Sequence, residues 1–213
     1  MQKLCQKYML ISIIIPTCKD YKDIERQLFE LTRTWGWEQP YELIPTCEKV
    51  SAAINRNIGL NLSKGEICIQ IDDDITGFYP GWGRDLISPL LVDESISIVS
   101  ARLMDKNGSF AFMMGDSKDY IKDYVICQKV PTACIAHRKM SIRYDENFIG
   151  SGFEDDDMLL AFKCSYPDKK IAINNKCRLV HNNEQKNQGG KNWVHNKSYF
   201  LSKHPEIKDT WHD

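Results

Sequence analysis

Apolar residues along the chain follow two rhythms. Residues 10–17, LISIIIPT, are a continuous β-branched run, the pattern of a strand buried on both faces. Ile24, Leu28 and Leu31 then recur at helical spacing and predict an amphipathic helix over 21–35. YELIPT at 41–46 predicts a second strand. Residues 51–65 predict a second helix, with Ser51 a candidate N-cap, Ile54, Ile58 and Leu62 a stripe, and Gly65 its close. EICIQI at 66–71 predicts a third strand, ending at Asp72, Asp73 and Asp74.

This strand–helix–strand–helix–strand order predicts an α/β fold, a Rossmann-like, mostly parallel central sheet flanked by helices, with a nucleotide-type site at its carboxyl edge. Further on, the pattern predicts a helix at 82–92, strands near 95–104, 109–114 and 130–137, a helix over 154–164 and a strand at 170–181. The polar tail from 182 is expected to begin as a loop. No repeat or linker divides the chain, so residues 1–213 are expected to form a single domain.

Composition narrows the class. Lys and Arg total 28 against 29 Asp and Glu, a net charge of −1, which argues against a nucleic-acid-coating protein. The eight cysteines are scattered singly, several inside apolar runs, as expected of reduced thiols in a cytoplasmic compartment. MQKLCQKYMLISIIIP imitates a signal peptide, but its apolar run is short, lacks a small-residue cleavage site and stops at Pro16. No segment approaches the roughly 20 apolar residues of a membrane span.

The triple aspartate carries the chemistry. In a strand, side chains alternate, placing Asp72 and Asp74 on one side and Asp73 on the other. Two carboxylates at a strand's carboxyl end form a half-site for Mg²⁺ or Mn²⁺, which would offset their repulsion and leave positions for phosphate oxygens. A solvated acidic turn is the plain alternative. A calcium loop fits poorly, because its bidentate Glu position falls on Gly83. Asp72-x-Asp74-x-Thr76 also resembles the first motif of haloacid-dehalogenase-type phosphatases, with Asp72 as nucleophile and Gly115-Asp116-Ser117 as a later acidic motif. That motif normally closes a domain's first strand, whereas two strand–helix units precede it here.

Glu154, Asp155, Asp156 and Asp157 follow a Gly-Ser-Gly turn and open an apolar helical stretch. The helix macrodipole alone favours acids there, yet four exceed what capping requires, and mutual repulsion raises one toward a general base. His181 ends the strand CRLVH and is a candidate metal ligand.

Taken together, ISIIIPT, NRNIGL, IQIDDDI and GFEDDDM resemble nucleotide-sugar-dependent glycosyltransferases of GT-A fold, those of family 2 above all, over residues 10–181. The wording of the chain also resembles a glycosyltransferase domain encoded by chlorella viruses. The resemblance implies a nucleotide-binding half over about residues 1–104 and an acceptor and catalytic half over about 105–213. Pro16 and Thr17 would line the base pocket, Glu42 or a neighbour would contact the base, and Asn55, Arg56 and Asn57 would lie near the nucleotide. Asp72 and Asp74, with Asp73 between them, would be the DxD element on ribose, metal and diphosphate, and His181 an extra metal ligand. Tyr144-Asp145-Glu146 would belong to the acceptor region, Glu154-Asp155 would be the catalytic pair and Asp155 the base.

The implied activity is hexosyl transfer, with Mn²⁺ or Mg²⁺ as cofactor, from a UDP-linked sugar such as UDP-glucose to a hydroxyl of a glycan or glycoprotein; inversion and retention both stay open. The family usually shows Trp or Gly before the catalytic pair, where this chain has Phe153. Trp193 is either a lid aromatic over the donor or a surface anchor, and Trp82 is expected in the core ahead of the alternative of stacking on an acceptor sugar. Nucleotidylyltransferases fit less well, since PTCKDYKD lacks their glycine-rich loop. A non-enzymatic sugar-binding module is the remaining alternative.

Overall fold

The structure, a computed structural model, describes residues 8–111, 121–182 and 190–207. The element order is β1 (Ile11–Pro16), α1 (Tyr21–Thr34), β2 (Tyr41–Thr46), α2 (Ala52–Leu62), β3 (Ile67–Ile71), β4 (Ile75–Thr76), α3 (Trp82–Val92) and β5 (Ile96–Met104). There follow β6 (Tyr124–Cys127), β7 (Cys134–Arg138), α4 (Glu154–Ser165), β8 (Lys170–His181) and α5 (Lys191–Lys203). The strands form one sheet in the order β2-β1-β3-β7-β5-β8-β4, with β6 also on β8. β1, β2, β3, β5 and β8 run one way, and β7, β4 and β6 run against them. The sheet is thus mostly parallel in strand direction.

Strand alternation explains the two cores. Ile11, Ile13 and Ile15 of β1, with Ile67, Ile69 and Ile71 of β3, pack under α1 and α3. Ile14 and Cys68 project the other way, under α2 and α4. Both crossovers from β1 to β2 and from β2 to β3 are expected to be right-handed, and they travel in opposite directions along the sheet, so α1 and α2 fall on opposite faces. Trp82 is fully buried against Trp35 and Phe78, the core role expected of it. A smaller cluster of Phe148, Phe153 and Phe200 docks α5. No helix among the described residues is long and apolar enough to cross a membrane.

Three elements differ from expectation. The expected strand at 109–114 is reduced, in its described part, to a bridge between Met104 and Phe110, and residues 112–114 lie outside the described residues. β6 is a short antiparallel strand that the sequence pattern did not signal. The tail was expected to begin as a loop, and residues 183–189 lie outside the described residues; beyond them stands α5, a helix the pattern did not signal, for of its buried residues only Phe200 is apolar, the other being Asn196, so its apolar periodicity is faint.

Gly59 sets the approach of α2 to the sheet, because a Cβ there would stand 2.2 Å from Ile14 Cγ2. Gly59→Ala is expected to destabilise the fold by about 1–3 kcal/mol through overpacking, despite its gain in helix propensity. Urea denaturation would show this as a lowered midpoint at unchanged m.

Candidate active site

Three strands that share one direction deliver their carboxyl ends to the same edge of the sheet. Pro16 ends β1 and Thr17 follows it, Asp72–Asp74 follow β3, and His181 ends β8. The first turn of α2 and the turn before α4 close the sides. The resulting cleft, about 1250 Å³, is lined by Pro16, Thr17, Asn55, Arg56, Asp72, Asp73, Asp74 and His181 from the expected set, with Gly150–Gly152 and Trp193 opposite. Ligand sites are commonly about 300–1,000 Å³, so the cleft has room beyond one small ligand.

β3 stops at Ile71, and residues 72–74 form a tight turn in which the Ile75 N–H bonds the Asp72 carbonyl at 3.2 Å. Strand alternation therefore does not govern the aspartates; the turn fans them toward separate basic side chains. Arg56 Nη2 reaches Asp72 Oδ1 at 2.9 Å. Lys19 Nζ reaches Asp73 Oδ1 at 2.9 Å, while the Thr17 hydroxyl donates to the other Asp73 oxygen. His181 Nε2 stands 3.2 Å from Asp74 Oδ2. Gln27, a residue the sequence reading passed over, donates its amide to the carbonyls of Asp72 and Ile75 at 2.8 and 3.2 Å and so braces the turn from α1.

Asp74 Oδ1 is buried with no hydrogen-bond partner. An unpaired carboxylate oxygen in that position is costly, and a hard divalent cation beside an imidazole would relieve it. Asp72 differs from expectation in that one of its oxygens is committed to Arg56. No group of three His, Cys, Asp or Glu among the described residues is gathered at ligand distance. The fit is therefore a carboxylate–imidazole pair whose coordination sphere would need oxygens from outside the chain.

The asparagine–arginine–asparagine run on α2 consists of buried clamps. Asn55 donates to the carbonyls of Thr17 at 3.1 Å and Glu48 at 2.9 Å, tying together the loops after β1 and β2. Asn57 faces away from the cleft and bonds both the N–H and the carbonyl of Tyr144 as well as Glu146. Arg56, only 5% exposed, spans Asp72 and, at 2.6 Å, Glu154 Oε1. Burial opposes its charge, but the two carboxylates outweigh that and hold it firmly protonated. Burial pushes Glu154 up to about 7 against the pull of Arg56, and burial followed by Asp74 repulsion raises Asp72 despite the same arginine.

Each acid of the second cluster has its own partner. Asp156 meets Lys129 at 2.8 Å, and Asp157 meets Lys203 and His204 at 2.9 and 2.8 Å. Asp155 is the one without a basic partner among the described residues; it accepts a 2.6 Å hydrogen bond from Thr132 and is not among the residues lining the cleft. Phe153, which precedes the pair, adopts φ 69°, the left-handed region that costs a side chain about 1–2 kcal/mol. Its packing against Trp193 and Phe200 holds it there. Trp193 itself forms part of the cleft wall on α5.

Glu42 is a correction. It pairs in register with Ser12 at the amino end of β1 and accepts from Ser12 Oγ at 2.6 Å and the Lys64 N–H at 2.7 Å. Four residues of strand, about 13 Å, separate it from the carboxyl edge, so it braces the far end of the sheet and does not reach the cleft. The phosphatase alternative finds no support: the Asp72 carboxylate is tied to Arg56, and Gly115-Asp116-Ser117 lies outside the described residues.

The chain matches no protein-family model and no curated protein. Solved structures are similar in shape. A structure of GalNAc-T7 with UDP, GalNAc and Mn²⁺ aligns at TM-score 0.60 and 13% identity, over 94% of this chain and 51% of that one. Glucosyl-3-phosphoglycerate synthase from Mycobacterium tuberculosis, with Mn²⁺, UDP-glucose and phosphoglyceric acid, aligns at 0.58 and 15% over 95% and 82%. A mycobacterial protein aligns at 0.64 and 11% over 94% and 76%. The fold is GT-A-type. The chain spans about half the length of the GalNAc-T7 structure it matches.

A buried relay underpins this GT-A-type site. Tyr144 OH donates to Gln70 Oε1 at 3.0 Å, Gln70 Nε2 lies 3.0 Å from His137 Nε2, and His137 Nδ1 lies 2.9 Å from the Arg138 carbonyl. This order assigns the proton of His137 to Nδ1. The Arg56 guanidinium sits over the Tyr144 ring at 5.3 Å. Burial lowers His137 to about 4, so the folded protein keeps it neutral where the unfolded chain, near 6.5, takes a proton. Stability is therefore expected to fall by about 3 kcal/mol as pH drops from 6.5 to 4. His137→Gln would flatten that slope, measurable by urea denaturation at stepped pH.

Proposed function

We propose that the chain is a divalent-metal-dependent glycosyltransferase that takes a sugar from a UDP-linked donor, a hexose such as glucose, to a hydroxyl of a glycan or glycoprotein. One observation carries this: in a GT-A-type fold, the unpartnered Asp74 Oδ1 and His181 share the carboxyl edge of the sheet in a cleft walled by Thr17 and Arg56. The metals and UDP ligands of GalNAc-T7 and the synthase support the same class of donor. Asp74 and His181 would hold Mn²⁺ or Mg²⁺, with Asp72 offering the oxygen that Arg56 leaves free; when bound, the cation neutralises charge on the departing diphosphate. Pro16, Thr17 and Asn55 shape the floor for the nucleoside.

Arg56 cannot act as an acid at working pH, and its role is to keep Asp72 and Glu154 apart and oriented. Glu154, locked on that guanidinium and the Gly152 N–H, is a positioning group. Asp155, without a cationic partner among the described residues, is the carboxylate best suited to take the proton of the attacking hydroxyl. We assign the donor half to about residues 1–104 and the acceptor half to about 105–213; the interleaving of β7 between β3 and β5 supports one continuous unit. The seven free thiols among the described residues suit the cytoplasmic setting we assign, and the finer viral resemblance adds nothing to this reading.

Isothermal titration with UDP and Mn²⁺ tests the donor site. Wild type is expected to bind, and Asp74→Ala to lose at least about tenfold in affinity; equal binding by the variant would remove the metal assignment. Asp155→Asn is expected to lower UDP release from UDP-glucose by about 10²–10⁴ in kcat at unchanged donor affinity. Retained turnover would move the base elsewhere.

A further inference from the structure

The turn that delivers Glu154 and Asp155, residues 149–152, has little packing of its own. Gly150 and Gly152 adopt φ 65° and 111°, and Phe153 is held in the left-handed region. Two elements pin the turn. The Ala52 N–H at the start of α2 bonds the Gly150 carbonyl at 2.8 Å. Asn196 of α5, fully buried, is the second: its Oδ1 accepts the Ile149 N–H at 2.9 Å, and its amide donates to the Ile149 and Gly152 carbonyls, both at 2.9 Å. All three hydrogen-bonding positions it most readily fills are therefore spent on one stretch of backbone. The same helix places Lys191, Asn192 and Trp193 on the cleft wall, and a Cβ on Gly150 would come within 2.8 Å of Asn192 Nδ2.

We infer that Asn196 is the positioning residue of the transfer site: it fixes the backbone from Ile149 to Gly152, and through it the placement of Glu154 and Asp155 relative to the donor cleft. The inference rests on the transfer reading above. Asn196 thus bonds both ends of this turn, Ile149 and Gly152. Asn196 touches neither the triple aspartate nor His181, so its loss would leave the donor floor intact. It would release the turn and with it the Glu154-Asp155 pair. Misplacement of a catalytic group by about 1 Å costs on the order of 100-fold in rate.

The test compares Asn196→Ala with Lys203→Met in the full chain. Lys203 anchors the other end of α5 to Asp145 and Asp157, at 2.7 and 2.9 Å, and so reports helix docking without touching the turn. Asn196→Ala is expected to lower kcat for UDP release from UDP-glucose by about 10- to 100-fold, with KM within about threefold. Amide hydrogen exchange over 149–154 is expected to accelerate at least about tenfold, with residues 72–76 unchanged. Lys203→Met, at a matched loss of Tm, is expected to keep kcat. A variant at Asn196 with wild-type kcat, with unchanged exchange in the turn, or with KM alone raised would overturn the inference. If the wild type releases no UDP from any UDP-sugar, the transfer reading fails, and the exchange experiment alone then decides whether Asn196 holds the turn.

Discussion

Arg56 is the charge on which the candidate site depends. It is buried, and it stands between two carboxylates that come from distant parts of the chain, Asp72 after β3 and Glu154 at the start of α4. Removing Arg56 would leave both carboxylates facing each other without their cation in a low-dielectric setting, which is far more costly than the net worth of a surface pair. The bidentate fork of arginine suits this bridging geometry, which the single ammonium of lysine could not reproduce. The Tyr144 ring beneath the guanidinium, itself held by Gln70 and His137, extends the constraint into the centre of the sheet. Asp72 and Glu154 are thereby set relative to one another by one cation.

Much of the surrounding site is held by buried amides in place of apolar contacts. Asn55 joins the loops after β1 and β2, Asn57 holds the Tyr144–Glu146 loop, Gln27 braces the aspartate turn and Asn196 braces the turn before α4. Each amide carries both donors and an acceptor, so each can satisfy several loop backbone groups at once. Loops at the end of a sheet cannot bury apolar side chains on both faces, and polar clamps supply the order that packing supplies elsewhere. Among the described residues, Asp74 Oδ1 is the carboxylate oxygen of the site that is buried and unpartnered, and Gln27 Oε1 is likewise unpartnered beside the aspartate turn.

The α/β alternation was legible because β-branched runs and helical stripes are local: β2, α3 and β8 fall where the pattern put them. The triple aspartate and the acidic run after Gly152 were legible as charge clusters that required compensation. Their partners were not. Lys19, Lys129, Thr132 and Lys203 are ordinary polar residues in the sequence, and only folding brings them to Asp73, Asp156, Asp155 and the Asp145–Asp157 pair. Glu42 was misplaced for a related reason, since a strand position says nothing about which end of the sheet it occupies until register is known.

The sequence by itself determined the order of strands and helices, the edge at which Asp72–Asp74 emerge and the acidic opening of α4, because these follow from local periodicity and from charge. Tertiary structure decided which carboxylates are neutralised, which is left open and which turn α5 secures. Those outcomes depend on side chains from 16 to 98 positions apart meeting at one edge of the fold, and no local pattern encodes the distance between them.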